Sequence, residues 1–182
     1  MKTKKITPAS QKITPFLWFD NQAEQAAKFY VSLFGKNSKI ESIARYSDEG
    51  QEITGRPPGS VMTVAFRLAG QEFVALNGGP LFKFTEAVSF VVNCDTQAEV
   101  DRFWRKLSQG GSKSQCGWLK DRYGLSWQIV PREAIALFQE KDPVKAKRVF
   151  AAMLKMSKLD LNALQRAHAG SPPRSPLSPP SP

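Results

Sequence analysis

The chain has 182 residues, a formal net charge of +10 and two cysteines, Cys94 and Cys116. That length holds one ordinary domain or two small fused modules. No apolar run reaches the roughly 18 residues of a membrane-spanning helix. The basic opening MKTKKITPASQK has no apolar stretch behind it, so it does not read as a secretory signal. Two thiols without a disulfide framework point to a reducing, cytoplasmic setting. The positive charge is not spread over the chain. Residues 1–12 carry Lys2, Lys4, Lys5 and Lys12, residues 131–182 carry nine basic against four acidic side chains, and residues 13–130 are within one charge of neutral. A phosphate-binding surface needs its cations gathered on the folded part, so no specific nucleic-acid partner is expected, and no membrane.

In chain order, KITPFLWF (12–19) is rich in β-formers and predicts a strand. NQAEQAAKFYVSLF (21–34) predicts a helix, because Ala23, Ala26, Ala27, Tyr30, Leu33 and Phe34 recur at spacings of three and four. Asp20 or Asn21 caps its start and Gly35 ends it. SKIESIARYS (38–47) predicts a strand, and the polar segment DEGQEITGRPPGS (48–60) a long loop, either a lid or a plain connection. SVMTVAFRLAG and QEFVALNGG predict a hairpin turning at Ala69-Gly70. AVSFVVNC (87–94) is the next strand. DTQAEVDRFWRKLSQGG (95–111) is the next helix, with Val100, Phe103, Trp104 and Leu107 on one face, Asp95 or Thr96 at its cap and Gly110 at its end. SQCGWLKD and LSWQIVP form a hairpin around Tyr123-Gly124. Beyond Pro131, REAIALFQ predicts a short helix. Asp142-Pro143 opens another, with Ala146, Val149, Phe150, Met153 and Leu154 as its apolar face, and Asp160 caps a last one. GSPPRSPLSPPSP is too rich in Pro and Ser to build a core.

Two segments repeat. FLWFDNQAEQAAKFY and FVVNCDTQAEVDRFW match Phe16 with Phe90, Phe29 with Phe103 and Tyr30 with Trp104, each 74 residues apart, while the shared Gln-Ala-Glu triplet is offset by one more. A strand followed by a helix therefore occurs twice. Between Gly35 and Asn77 there is room for three further strands; between Gly110 and Gln128 there is room for about two.

The hairpin carries the conspicuous side chains. Cys116 is either an inert thiol or, if Lys113 or Arg122 meets it across the hairpin, a reactive one. Lys120 and Asp121 point to opposite strand faces. By the same alternation Ser126 and Gln128 share one face while Trp127 and Ile129 share the other. If Gln128 faces a cleft, Trp127 packs against a helix. Trp118 either stacks on a ligand or anchors the sheet.

A strand–helix–strands unit present twice resembles the vicinal oxygen chelate superfamily of glyoxalases, extradiol dioxygenases and bleomycin-resistance proteins. TPFLWFDNQAEQAAKFY, FVALNGGP, FTEAVSFVVNCDTQAEVDRFW and CGWLKDRYGLSWQIVP, in that order within residues 11–165, are similar to its PhnB-like branch. The resemblance implies a U-shaped sheet around a cleft and a homodimer. In metal-using relatives it also implies a divalent ion held by His, Gln or Glu of the first and last strands. Those positions fall here near Ile13 to Pro15, at Asn77, near Val88 or Ser89, and at Gln128, four residues after Gly124. Two hold amides and two hold no useful donor, and the single His of the chain is His168. Hard and borderline divalent ions want anionic or imidazole ligands, so no cofactor is expected, and divalent metal at most weakly. Asn77 and Gln128 then read either as hydrogen-bonding groups of an apolar cleft, with Ser126 and Trp118 beside them, or as buried amides closing strand ends. Some family members carry the label 3-demethylubiquinone 3-methyltransferase. No Gly-rich loop follows the first strand here to hold a methyl-donor nucleotide.

The expectation is an α+β chain of two fused βαβββ repeats, the second shortened, forming a curved mixed sheet around a cleft. Its divisions are a basic N-terminus (1–10), a first module (11–80), a second (81–131), C-terminal helices (132–168) and a Pro/Ser tail (169–182). The expected role is binding a small organic ligand, with no catalytic residue assigned. The alternatives are a metal-dependent lyase, isomerase or dioxygenase, and the methyltransferase of the label.

Overall fold

The structure, a computed structural model, describes residues 11–171. The basic segment 1–10 and the Pro/Ser stretch from residue 172 onward lie outside the described residues. The chain divides into two compact units, with the boundary between Lys83 and Phe84.

The first unit contains β1 (Phe16–Phe19), α1 (Ala23–Phe34), β2 (Lys39–Arg45), α2 (Gln51–Thr54), β3 (Val61–Leu68) and β4 (Gln71–Asn77). Its sheet has the order β1-β4-β3-β2, with β1 parallel to β4 and the other pairs antiparallel. Alternation sorts the strands into two faces. Leu17, Phe19, Val64, Phe66, Leu68, Phe73 and Ala75 are buried on one, and α1 lays Ala23, Ala26, Ala27, Tyr30 and Leu33 on it. The Tyr30, Phe66 and Phe73 rings stack through this layer at 6.3 and 5.5 Å. At the β3–β4 turn both Ala69 and Gly70 have positive φ, the geometry that suits a two-residue hairpin. The 48–60 segment is not a bare loop. It holds a 3-10 turn (Asp48–Gly50) and α2, and Arg56 ties it back through its Nη2, which donates to the Asp20 carbonyl at 3.0 Å.

The second unit contains β5 (Ser89–Cys94), α3 (Gln97–Leu107), β6 (Ser112–Lys113), β7 (Trp118–Lys120), β8 (Ser126–Pro131), α4 (Arg132–Phe138), α5 (Pro143–Met153) and α6 (Leu161–Ala169). Its order, β5-β8-β7-β6, repeats that of the first unit, again with one parallel pair, β5 with β8. Spacing alone predicted a single hairpin after α3. A two-residue strand, β6, is added at the edge, so the shortened module keeps four strands. Val100, Phe103, Trp104 and Leu107 of α3 are buried, as their spacing predicts.

The repeat holds with one correction. Phe16 is 59% exposed, whereas Phe90 lies against Trp127 on the helix side, at 5.7 Å between rings. The residues that share a face are Leu17 with Val92 and Phe19 with Cys94, so the strands match at the same larger offset as the Gln-Ala-Glu triplet. The helix residues Tyr30 and Trp104 keep the smaller one. The helices match at the smaller offset from their first residues, Ala23 and Gln97, so the slip of one residue falls between strand and helix, and the Gln-Ala-Glu triplets are not equivalent in space: Ala23 is buried and Ala98 exposed.

Caps show a second correction. Thr96, Asp142 and Asp160 cap α3, α5 and α6 with their side chains. Neither Asp20 nor Asn21 caps α1. Its N-cap is Gln22, which makes no side-chain cap bond, and the Ala23 N–H donates instead to Asn77 Oδ1 at 2.8 Å.

The C-terminal helices meet at Ala134, Val149 and Leu164. The apolar face of α5 is rotated from the predicted stripe. Ala152 and Met153 pack inward beside Val149, while Phe150 and Leu154 are 56% and 52% exposed. The segment between α5 and α6 clips onto the second module. Cys116 N–H and Gly117 N–H donate to the Met156 and Ser157 carbonyls, each at 2.7 Å. Gln97 bonds both the Leu159 carbonyl and the Leu161 N–H, and Lys158 pairs with Asp101.

Near the start of α5, Glu140 accepts the Asp142 N–H at 3.0 Å and bonds His168 Nε2 at 2.5 Å. The Asp142 N–H first, and His168 second, hold its carboxyl down at about 2, against an ordinary 4.5. A depressed carboxyl stabilises the fold above its unfolded value and loses that contribution as pH falls from 4.5 towards 2. Thermal unfolding followed by circular dichroism will show an acid-side loss of stability in this window that is smaller in Glu140→Gln. Equal pH dependence in both proteins would refute this assignment.

Candidate functional site

The second module's hairpin is shaped by one buried carboxylate. Asp121 is 2% exposed. Its Oδ1 accepts the N–H groups of Tyr123 (2.8 Å) and Leu125 (3.1 Å), and its Oδ2 accepts Trp127 Nε1 at 2.8 Å. Gly124, at φ 86°, supplies the left-handed residue that the turn requires. The order Asp, Gly, Trp in DRYGLSW is thus a single device. The aspartate folds the turn and draws the Trp127 indole to the α3 side.

With Trp127, Ile129 and Pro131 turned to α3, the alternate residues Ser126, Gln128 and Val130 face the other way. Register adds Ser89 beside Ser126, Val91 and Trp118 beside Gln128, and Lys120 across from Ser126. Gln128 is half-buried, and its Nε2 donates to Ser89 Oγ at 2.9 Å. Its Oε1 has no partner among the described residues. Ser126 is 1% exposed, and its Oγ is buried without a hydrogen-bond partner among the described residues. Lys120 Nζ meets Glu86 at 2.6 Å, and this bond holds the Glu86 carboxyl below its usual range. Along the β6–β7 edge, a groove of about 570 Å³ is lined by Glu86, Lys113, Cys116, Trp118 and Lys120 among others.

The candidates from sequence fall in both units. Gln128, Ser126 and Trp118 come together on this one face. Asn77 lies at the end of β4 in the other unit, 7% exposed, with both ends of its amide in use. Oδ1 takes the Ala23 N–H, and Nδ2 donates to the Val61 carbonyl at 3.0 Å. Cys116 sits in a left-handed conformation at φ 58°, and its Sγ donates to the Met153 carbonyl at 3.7 Å. Neither Lys113 nor Arg122 is bonded to this thiol among the described contacts. Cys94 is fully buried, and desolvation pushes its thiol up to about 12, which leaves it without thiolate character.

Sequence reasoning missed Ser89 as the partner of Gln128, since the pairing of β5 with β8 brings them together from 39 residues apart. It also missed why FVALNGG needs its glycines. A Cβ on Gly78 would come within 2.3 Å of the Trp18 ring, and one on Gly79 within 2.6 Å of Arg56 Nη2. Trp18 lies across Gly78 and donates its Nε1 proton to the Gly79 carbonyl at 2.8 Å.

The residues at the expected ligand positions do not suit a divalent ion. Ile13 offers hydrocarbon, Asn77 is committed to α1, and Ser89 and Gln128 are neutral and bonded to each other. No cluster of three or more His, Cys, Asp or Glu side chains with metal-holding geometry occurs among the described residues. A methyl-donor nucleotide fits no better at the first strand–helix turn. The turn residues Asp20, Asn21 and Gln22 include no glycine, and the first N–H of α1 is already taken by Asn77.

The family model described as 3-demethylubiquinone-9 3-methyltransferase matches residues 11–130. A PhnB protein from Bacillus cereus that carries the same methyltransferase description is 40% identical. The match covers 66% of this chain and 99% of that one, with a TM-score of 0.59. Protein PA1353 from Pseudomonas aeruginosa is 21% identical over 66% of this chain and 96% of that one, with a TM-score of 0.53, a likeness of fold. No curated protein matches. The helices from Arg132 onward lie beyond the family match.

Asn77→Ala removes a helix cap and leaves the Ala23 N–H buried without a partner. It will lower stability by about 1–2 kcal/mol in denaturant titration. An unchanged midpoint would mean that α1 does not depend on this cap.

Proposed function

Because the chain belongs to the family described as 3-demethylubiquinone-9 3-methyltransferase, the PhnB-like branch of the vicinal oxygen chelate superfamily, we propose that it reversibly binds a small organic ligand. The ligand lies on the face of the β5-β8-β7-β6 sheet turned away from α3. One observation carries this reading: Ser126 is 1% exposed and its hydroxyl has no partner among the described residues, two residues from an amide whose oxygen is likewise unpartnered there, on the same face. Leaving a buried hydroxyl unbonded costs about 1–3 kcal/mol, and a ligand group that bonds it recovers that cost. Gln128 Oε1 accepts from the same ligand, while Ser89 fixes the amide's orientation by accepting its N–H. Trp118, in register with Gln128, supplies an aromatic wall. Well-placed polar groups beside an aromatic side chain are what fix a small ligand's orientation in such sites.

The role is one of binding. Lys120 and Glu86 neutralise each other, and neither thiol has an activating partner among the described residues. The reading places the protein in a reducing cytoplasm, consistent with its two free cysteines. It also includes self-association. Strands β1 and β5 are edge strands of their sheets, with Phe16, Val88 and Val91 exposed on or beside them, and such edges are ordinarily covered.

Ligand-observed NMR against a panel of small aromatic and heteroaromatic compounds will identify binders. Gln128→Ala and Ser126→Ala will each weaken them about ten-fold, the equivalent of about 1.4 kcal/mol, and Asn77→Ala will leave affinity unchanged. Binders indifferent to both Gln128→Ala and Ser126→Ala would place the site elsewhere. Sedimentation velocity will give a dimer; a monomer at micromolar concentration would remove the self-association part alone.

A further inference from the structure

The groove between α5 and α6 has a chemistry of its own. It has a volume of about 450 Å³. Small side chains, among them Ala151, Ala163 and Ala167, form its floor, and Arg148, Lys155 and Arg166 stand around it. No carboxylate lines it. Among the described residues none of these three cations forms an ion pair. The carboxylates carried by the C-terminal helices and their caps are engaged elsewhere: Glu140 with His168, Glu133 with Gln165, and Asp142 and Asp160 with helix N-termini. Arg148 spends its Nε and Nη2 on the Ala167 and His168 carbonyls at the end of α6, at 2.9 and 2.7 Å, which holds the guanidinium in place without neutralising it. The Nε of Arg166 is buried and has no hydrogen-bond partner among the described residues.

We propose that this groove is a second binding site, for a small amphiphilic organic anion with an apolar body and one anionic head. The body lies on the alanine floor. The head meets Arg166 and Lys155 at the rim, and Arg166 Nε gains the acceptor it lacks. Three cations without a counter-charge around an apolar floor complement a ligand that is both apolar and negative, and a neutral apolar ligand would leave them unmatched. The volume lies in the range of small-molecule sites, about 300–1,000 Å³. The site is separate from the sheet face carrying Gln128. It belongs to helices beyond the segment that matches the family, so it is a property of this chain's extension.

The test uses the full chain with 8-anilinonaphthalene-1-sulfonate as the anionic probe and N-phenyl-1-naphthylamine as its uncharged counterpart, each titrated by fluorescence on folded protein. One sulfonate dye is expected per chain. Arg166→Gln will weaken it at least five-fold and will change the uncharged dye less than two-fold. Ala163→Leu, which fills the floor, will abolish binding of both; Ala167→Leu serves the same purpose should Ala163→Leu lower the melting temperature. Gln128→Ala will bind the sulfonate dye as the unmodified chain does. Sulfonate binding unaffected by Arg166→Gln and by the floor substitutions overturns the proposal, as does its loss in Gln128→Ala. So does binding of phosphatidylglycerol vesicles that Arg166→Gln abolishes and Ala163→Leu leaves intact, because that pattern describes bare surface charge and not a groove.

Discussion

The bonds from Asp121 to two backbone N–H groups and one indole are the constraint on which the second module depends. Each hydrogen bond to a charged acceptor contributes about 1.5–3 kcal/mol, and here three converge on a carboxylate that is almost wholly buried. Their larger effect is geometric. They set the turn between β7 and β8, and so the register of β8. A slip of one residue would exchange the faces of a strand. Gln128 would then point into the helix layer, and Trp127 outward.

Much of this was legible from sequence, for reasons that can be named. The alternation in LSWQIVP placed Ser126 and Gln128 on one side and Trp127 on the other. That inference requires only the period of a strand, and the half-exposed Gln128 between the buried Trp127 and Ile129 agrees with it. The apolar stripe of α3 and the Asp142 and Asp160 caps are local patterns and read the same way. What was not legible comes from tertiary pairing. The cap of α1 is Asn77, 54 residues away, so a search of the adjacent residues could not find it. The orphan hydroxyl of Ser126 depends on what surrounds it in space. The repeat was found, but its strand was aligned one residue off, because Phe16 and Phe90 are similar in kind and occupy different faces.

The C-terminal extension is joined to the second module through the stretch that first looked chemically busy. Gly117 is where the two meet. A Cβ there would lie 2.9 Å from the Ile129 carbonyl and 3.1 Å from Leu159, and its φ of 84° also favours glycine. Cys116 precedes it, bent into a left-handed conformation by the same junction. Its position therefore has a structural cause, and its thiol lies against α5 and not against an activating base.

The central claim is that the sheet face carrying Ser126 and Gln128 is where a ligand sits. The most direct measurement is an amide and side-chain NMR titration of the full chain with a compound found to bind. The account predicts shifts concentrated at Ser126, the Gln128 side-chain amide, Ser89 and the Trp118 indole, with Ala23 and Asn77 unmoved. Shifts that spare these four and gather at any other surface would contradict it.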